Sequence, residues 1–349
     1  MRAFQVKKLA HPRDITLSDD VPPPIAQKSQ VIVDVYATGL NFFDVLQAQG
    51  KYQNRPPLPF ILGAELAGRI AEDSPIPKGC PFQPGGGGNT DRVHGFGAGA
   101  YAEQVASAVI PLTYTTSYDG LVHRGQMKEN EWVLVHAGAG GVGLAACQIA
   151  KVLGAKVIAT ASTEEKRRIC RDKARVDAVV DYTQTGWQKE VMKITSGNGV
   201  DIVYDPVGMI IPSLKCVNWN ARIVVVGFAA GTIEKVPANL LLLKQVSIVG
   251  LFWGGGTERD PRHAAEVVLS LSKLFSSGRL KPILYEPIYE GLESVSKALT
   301  DLDERKIWGK GVVRVMKEQS DSHPRVKPCF ECPSFVLCLA WTKDGTKSQ

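Results

Sequence analysis

The sequence predicts an α/β protein of two domains, one mainly β and one built on a doubly wound, six-stranded parallel sheet. Three observations carry this. The chain has 349 residues, more than one hydrophobic core ordinarily organises. Its first third is rich in Pro and Gly and holds short alternating apolar runs, the mark of strands with one face in water. From about Glu131 the pattern changes to near-continuous Val/Ile runs, each followed by a turn and an apolar helix. That alternation describes a parallel sheet covered on both faces.

The elements follow in order. MRAFQVKKL (Met1 to Leu9) opens as a strand, and VIVDVYAT (Val31 to Thr38) is a second with clear alternation. WVLVH (Trp132 to His136) begins the parallel sheet and feeds a helix from Val142 to Leu153 with small residues on one face. KVIAT (Lys156 to Thr160), AVVDY (Ala178 to Tyr182), DIVYD (Asp201 to Asp205), RIVVVG (Arg222 to Gly227) and VSIVGL (Val246 to Leu251) complete the six strands, which break off near WGGG (Trp253 to Gly256). HAAEVVLSLSKLF (His263 to Phe275) has the apolar spacing of a helix, and KGVVRV (Lys310 to Val315) is a closing strand. After Met316 the pattern stops: a polar KEQSDSHPRVK is followed by the cysteine-rich apolar piece PCFECPSFVLCLAW.

The first turn of the parallel sheet carries the chemistry. HAGAGGVGLAACQIA (His136 to Ala150) places Gly138, Gly140 and Gly143 at the spacing G-x-G-x-x-G, directly after a strand and at the head of a helix. That is the context a dinucleotide pyrophosphate needs: a tight turn at Gly138, close backbone approach at Gly140, and helix–strand packing at Gly143. The N–H groups of the first helical turn then face the anion. The end of the next strand chooses the dinucleotide. An Asp or Glu there would hold ribose hydroxyls, but this chain has Thr160, Ala161, Ser162 and Thr163, followed by Lys166, Arg167 and Arg168. Hydroxyls, a helix N-terminus and cations suit a 2′-phosphate, so NADPH is expected over NADH. Ser162 and Glu165 also have the S-x-x-E spacing of a capping box.

With these motifs in place the chain resembles the zinc-independent quinone oxidoreductases, the zeta-crystallin-like group of the medium-chain dehydrogenase/reductase superfamily. The resemblance runs from Met1 to about Met316 through GLNFFDVLQAQGKY (Gly39 to Tyr52), PPLPFILGAELAG (Pro56 to Gly68), DRVHGF (Asp91 to Phe96), YTTSYDGL (Tyr114 to Leu121), DPVG (Asp205 to Gly208), IVVVGFA (Ile223 to Ala229) and WGKGVVRV (Trp308 to Val315). It implies a GroES-like catalytic domain in two parts, 1–111 and 253–316, interrupted by a Rossmann domain over 112–252, with 317–349 as an atypical tail. Where zinc alcohol dehydrogenases carry a Cys and the His of G-H-E, this chain has Asn41 and Ala64, which make poor zinc ligands. No metal is therefore expected. The C-x-x-C pair Cys329 and Cys332 has no second ligand pair near it, which favours incidental thiols.

The resemblance further implies Asn41, Tyr52 and Thr116 as catalytic residues, beside the nicotinamide. It implies cofactor contacts from Gly138, Gly140, Gly141, Val142, Gly143, Ser162, Lys166, Tyr182, Thr113, Gly227, Phe228, Ala229, Phe252, Trp253 and Lys310. Tyr52 could instead pack on Pro56 and Pro57, and Thr116 could cap a helix. A homodimer joined along Val246 to Leu251 is also implied. The expected reaction is hydride transfer from NADPH to a quinone or enone, whose delocalised charge lessens the need for a Lewis acid. An NADP-dependent reductase of enoyl thioesters or alkenals, and a cofactor-binding structural or RNA-binding protein without turnover, remain open.

This chain departs from the family pattern twice. GGGGNT (Gly85 to Thr90) precedes Asp91, and GAYAEQVASA (Gly99 to Ala108) runs almost directly into VIPLTYTTSY (Val109 to Tyr118), where relatives have a strand, a loop and a helix. That shortening puts the positions of Thr113 and Thr116 in question. The net charge of +6 comes with no cationic block, so a nucleic-acid partner is not indicated. No apolar run reaches transmembrane length, and the seven scattered cysteines read as reduced thiols, which points to the cytoplasm.

Overall fold

The computed structural model describes residues 1–26, 31–75, 92–96, 99–102, 104–107, 112–231 and 233–315. The glycine loop at 85–90, the join at 108–111 and the tail with Cys329 and Cys332 lie outside the described residues. The chain divides into two units: Thr113–Asp260 with Ser277–Ile283, and Met1–Leu112 with Pro261–Ser276 and the chain from Leu284 on.

The first unit holds the six-stranded sheet. Its spatial order is Ser247–Gly250, Val217–Val225, Val200–Asp205, Trp132–Val135, Lys156–Thr160, Ala178–Val180, and every pairing is parallel. The chain starts in the middle of the sheet, winds outward to one edge, and returns to fill the other, the doubly wound arrangement expected from the alternating runs. Leu134, Ile158, Val203 and Ile223 lie fully buried at its centre. Strand boundaries shift slightly from the sequence pattern. The expected strand at Ala178 to Tyr182 stops at Val180, where Asp181 and Tyr182 leave the sheet.

In the second unit, Val31–Gly39 is the central strand. It pairs antiparallel with Glu65–Ile70 on one side, and with Val312–Arg314 and Gln104–Ser107. Val31–Gly39 and the last strand of the described residues thus share one sheet, over a core that includes Phe4, Val35, Leu62, Leu299 and Val313. The N-terminal strand is shorter than its alternation suggests, only Gln5–Val6. The helix Pro261–Ser276 buries Ala264, Val267, Val268, Leu271 and Leu274, the i, i+3, i+4, i+7 stripe seen in the sequence.

The six parallel strands break off before WGGG, as expected, and Trp253–Arg259 is helical through three glycines. A Cβ on Gly255 would sit 2.5 Å from the ring of the exposed Phe252, which would have to turn away. Among the described residues, no helix is long and apolar enough to cross a membrane. Cys147, Cys170 and Cys216 are buried free thiols.

Candidate active site

Sheet register assembles a polar cluster in the mainly β unit. Gly39 pairs with Glu65 on one side and with Val312 on the other. Asn41 lies just beyond the end of its strand, and Lys310 just before the start of the partner strand, so three residues far apart in sequence meet at one strand end. Gly39 makes the room: a Cβ there would lie 2.7 Å from both Glu65 Oε2 and Lys310 Cε. The Lys310 ammonium pairs with Glu65 and donates to Asn41 Oδ1 at 2.7 Å and to the Leu40 carbonyl at 3.0 Å. Asn41 Nδ2 donates to Glu65 Oε2 at 3.1 Å, and the Leu112 N–H donates to Glu65 Oε1 at 2.5 Å.

Behind Asn41 sits a second acid. Asp44, on the helix Phe42–Ala48, is fully buried. Its Oδ2 accepts from the Tyr101 hydroxyl at 2.6 Å and the Asn41 N–H at 3.0 Å, while Oδ1 has no partner among the described residues. Burial pushes the carboxyl up to about 7, more than the Tyr101 bond and the Lys310 charge pull it down.

The Tyr52 ring stacks on Phe43, centroids 5.3 Å apart, which gives it a packing partner other than the prolines of its alternative reading. Burial, with the nearby Asp44 charge, raises its phenol above the ordinary value, so it stays a proton donor at neutral pH. Lys310, expected as a cofactor contact, directs its donors to Glu65, Asn41 and Leu40.

In the doubly wound unit, Gly140 is the N-cap of the helix Gly141–Val152, so the N–H groups of Gly141, Val142 and Gly143 head that helix. A Cβ on Gly143 would come within 2.2 Å of the Ala137 carbonyl oxygen, whereas one on Gly140 would meet only that oxygen, at 3.2 Å, and otherwise point into open space. The turn is thus closed beneath and open above, as a cradle for an anion must be. Thr113 and Thr116 lie buried in the helix Leu112–Tyr118. That helix is latched to the glycine-turn helix by Ser117, whose hydroxyl donates to the Val142 carbonyl at 2.9 Å. Thr116 is therefore a mid-helix residue, not a cap.

At the second strand end the cap is Thr163, one residue later than the S-x-x-E spacing suggests; it accepts from the Lys166 N–H at 3.3 Å. Ser162 is left out of the cap, in the turn after Thr160. Tyr182 is half-buried against the core. Gly227, Phe228 and Ala229 form the turn after Val217–Val225, pinned by the Ala229 N–H to the Pro206 carbonyl at 3.1 Å. Phe252 is exposed while Trp253 is buried at the head of its helix.

Several buried polar residues lie inside the sequence motifs but are given no role by them. Asp205 Oδ1 accepts from the Val207 and Gly208 N–H groups, and Oδ2 from Met209, which builds the DPVG turn. His136 is buried between Thr160 Oγ1 at 3.1 Å and Ser213 Oγ at 2.7 Å, and burial lowers its imidazole to about 4. Asp44 carried a usable signal: a lone acid in the apolar run Phe42 to Leu46, three positions after Asn41.

Two family models match, an alcohol dehydrogenase GroES-like domain over residues 27–113 and a zinc-binding dehydrogenase domain over 141–270. A quinone oxidoreductase-like protein 2 homolog of Nematostella vectensis is 35% identical, over 89% of this chain and 88% of that one. Human quinone oxidoreductase is 30% identical over 81% of this chain and 89% of its own. The solved structure of Escherichia coli quinone oxidoreductase complexed with NADPH superposes with a TM-score of 0.77 at 27% identity, covering 90% of this chain and 100% of that one. Matched in both domains and along most of its length, this chain belongs to the quinone oxidoreductase-like family of the medium-chain dehydrogenase/reductase superfamily.

Proposed function

We propose that this protein is an NADPH-dependent oxidoreductase of the quinone oxidoreductase type, which reduces a quinone or enone without zinc. The observation that carries the reading is the glycine turn, open above Gly140 and followed at the next strand end by Thr160, Ser162, Thr163 and Lys166 rather than by an acid. The Escherichia coli structure complexed with NADPH supports the same cofactor. NADPH, when bound, supplies the hydride. Gly140 to Gly143 would hold its pyrophosphate, and Ser162, Lys166 and Tyr182 its 2′-phosphate. Gly227 to Ala229, Phe252, Trp253, Thr113 and Thr116 would hold the nicotinamide end.

The zinc-free reading rests on Asn41 and Ala64. Asn41 offers an amide already engaged by Lys310 and Glu65, and Ala64 offers no ligand atom. Lys310 also neutralises Glu65, so this cluster carries its own cation. Tyr52 would donate a hydrogen bond to the acceptor oxygen as charge develops there. The test is a titration with NADPH and with NADH, followed by steady-state turnover of phenanthrenequinone with and without EDTA. NADPH-preferring, chelator-insensitive turnover is expected. Turnover of enoyl thioesters or alkenals alone would transfer the reading to those reductases, and binding without turnover of any acceptor would leave a cofactor-binding protein. For Tyr52→Phe, an unchanged kcat/KM with quinone would remove its hydroxyl from the mechanism.

A further inference from the structure

Three consecutive basic residues, Lys166, Arg167 and Arg168, follow the second strand of the parallel sheet, and the family resemblance singles out only Lys166 to meet a phosphate. The structure separates them. Arg167 is turned into a bridge. Its guanidinium pairs with Asp181 Oδ2 at 2.8 Å, donates from Nε to Glu164 Oε2 at 3.0 Å, and reaches the Ser162 carbonyl at 3.3 Å. Asp181 is fixed in turn, its Oδ1 accepting from the Thr183 N–H at 3.0 Å and the Thr183 hydroxyl at 2.6 Å.

These bonds join two loops. One follows Lys156–Thr160, carries Ser162 and leads into the helix Glu164–Asp172 with Lys166 and Arg167; the other follows Ala178–Val180 and carries Tyr182. The Arg167 and Asp181 side chains are only 19% and 20% exposed, so the pair is shielded more than an ordinary surface ion pair. The Thr183 bonds, with Arg167, hold the Asp181 carboxyl below the usual carboxylate range, so it is charged at neutral pH. Unneutralised, that charge would stand beside the place proposed for a 2′-phosphate.

We propose that Arg167 is a positioning residue for cofactor choice: by bridging Ser162 and Asp181 it sets the spacing of the two loops and cancels an acid that would repel a 2′-phosphate. This rests on the placement of the 2′-phosphate at Ser162, Lys166 and Tyr182. An unbridged Asp181 would disfavour NADPH and leave NADH unharmed, since a carboxylate near the ribose accepts from its free hydroxyl.

The test is equilibrium binding of NADPH and NADH to Arg167→Met, Asp181→Asn, the double variant and Arg167→Lys, with steady-state KM and kcat alongside. Arg167→Met is expected to weaken NADPH about tenfold while NADH binding holds and kcat changes little. Arg167→Lys, which can still pair with Asp181, should recover part of the loss, and so should the double variant, which removes the acid. Asp181→Asn alone should keep NADPH binding near that of the wild type. Equal weakening toward both cofactors in Arg167→Met, or no change in their ratio, overturns the proposal. Lys166→Ala separates the two readings. If it shifts the ratio and Arg167→Met does not, only the bridge fails; if neither shifts it, the placement of the 2′-phosphate fails. Should Arg167→Met not fold, the double variant and Arg167→Lys decide the matter: a loss of NADPH preference in the double variant as large as in Lys166→Ala would overturn the role given to the acid.

Discussion

Among single residues, the buried acids of the mainly β unit are the strongest constraints. Glu65 is held by Lys310, Asn41 and the Leu112 N–H, so removing the ammonium strands a carboxylate whose side chain is only 10% exposed. Lys310→Met is expected to cost about 3 kcal/mol, read as a lower urea midpoint, and Glu65→Gln in that background should recover part of it. Asp44 predicts a pH dependence. Its folded value of about 7 lies above the unfolded 3.8, so between these values the folded state holds a proton that the unfolded chain has released. Asp44's contribution to stability therefore falls as pH rises through that window, by at most ~1.4 kcal/mol per pH unit, against a contribution of opposite sign from His136, whose imidazole burial lowers to about 4. Asp44→Asn should remove this slope; an unchanged slope in denaturation measured across the window would show that Asp44 is not its source. The Asn41–Asp44 spacing was visible in the sequence. Glu65 and Lys310 could be joined to them only by sheet register, because they stand near opposite ends of the chain.

One level up, the strand–turn–helix element at Gly138 to Gly143 makes two separable predictions. Gly143→Ala places a methyl 2.2 Å from the Ala137 carbonyl oxygen, so the turn must shift and stability should fall. Gly140→Ala meets only one atom at 3.2 Å, so the fold should survive while NADPH affinity drops, because the methyl stands where the anion approaches. Thermal midpoints beside dissociation constants distinguish the two; equal loss of stability in both would contradict the open face above Gly140. At the next helix, Thr163→Ala should cost about 1 kcal/mol. The glycine turn was legible because strand, spacing and helix are all local. The helix Trp253–Arg259 was not, because three consecutive glycines lower helix propensity.

For the molecule as a whole, the strand Ser247–Gly250 forms one edge of the parallel sheet, and Leu242 and Leu243 beside it are 78% and 66% exposed. A sheet edge next to exposed leucines is a surface where two copies can pair. The homodimer implied by the family resemblance is proposed to form there, and Ile248→Asp is expected to give a monomer in sedimentation equilibrium. A wild-type monomer at micromolar concentration would remove the proposal.

Six parallel strands, a mainly β partner, the dinucleotide turn and the family could all be read along the chain, because each depends on short-range periodicity or on motifs spanning a few residues. What the charged residues do was decided by tertiary structure. Register brought Asn41, Glu65 and Lys310 to one strand end and directed the lysine's donors there, loop geometry turned Arg167 toward Asp181, and burial raised Asp44. Charge interactions depend on distance through space and on exposure to water, and neither quantity is written in the order of residues along the chain.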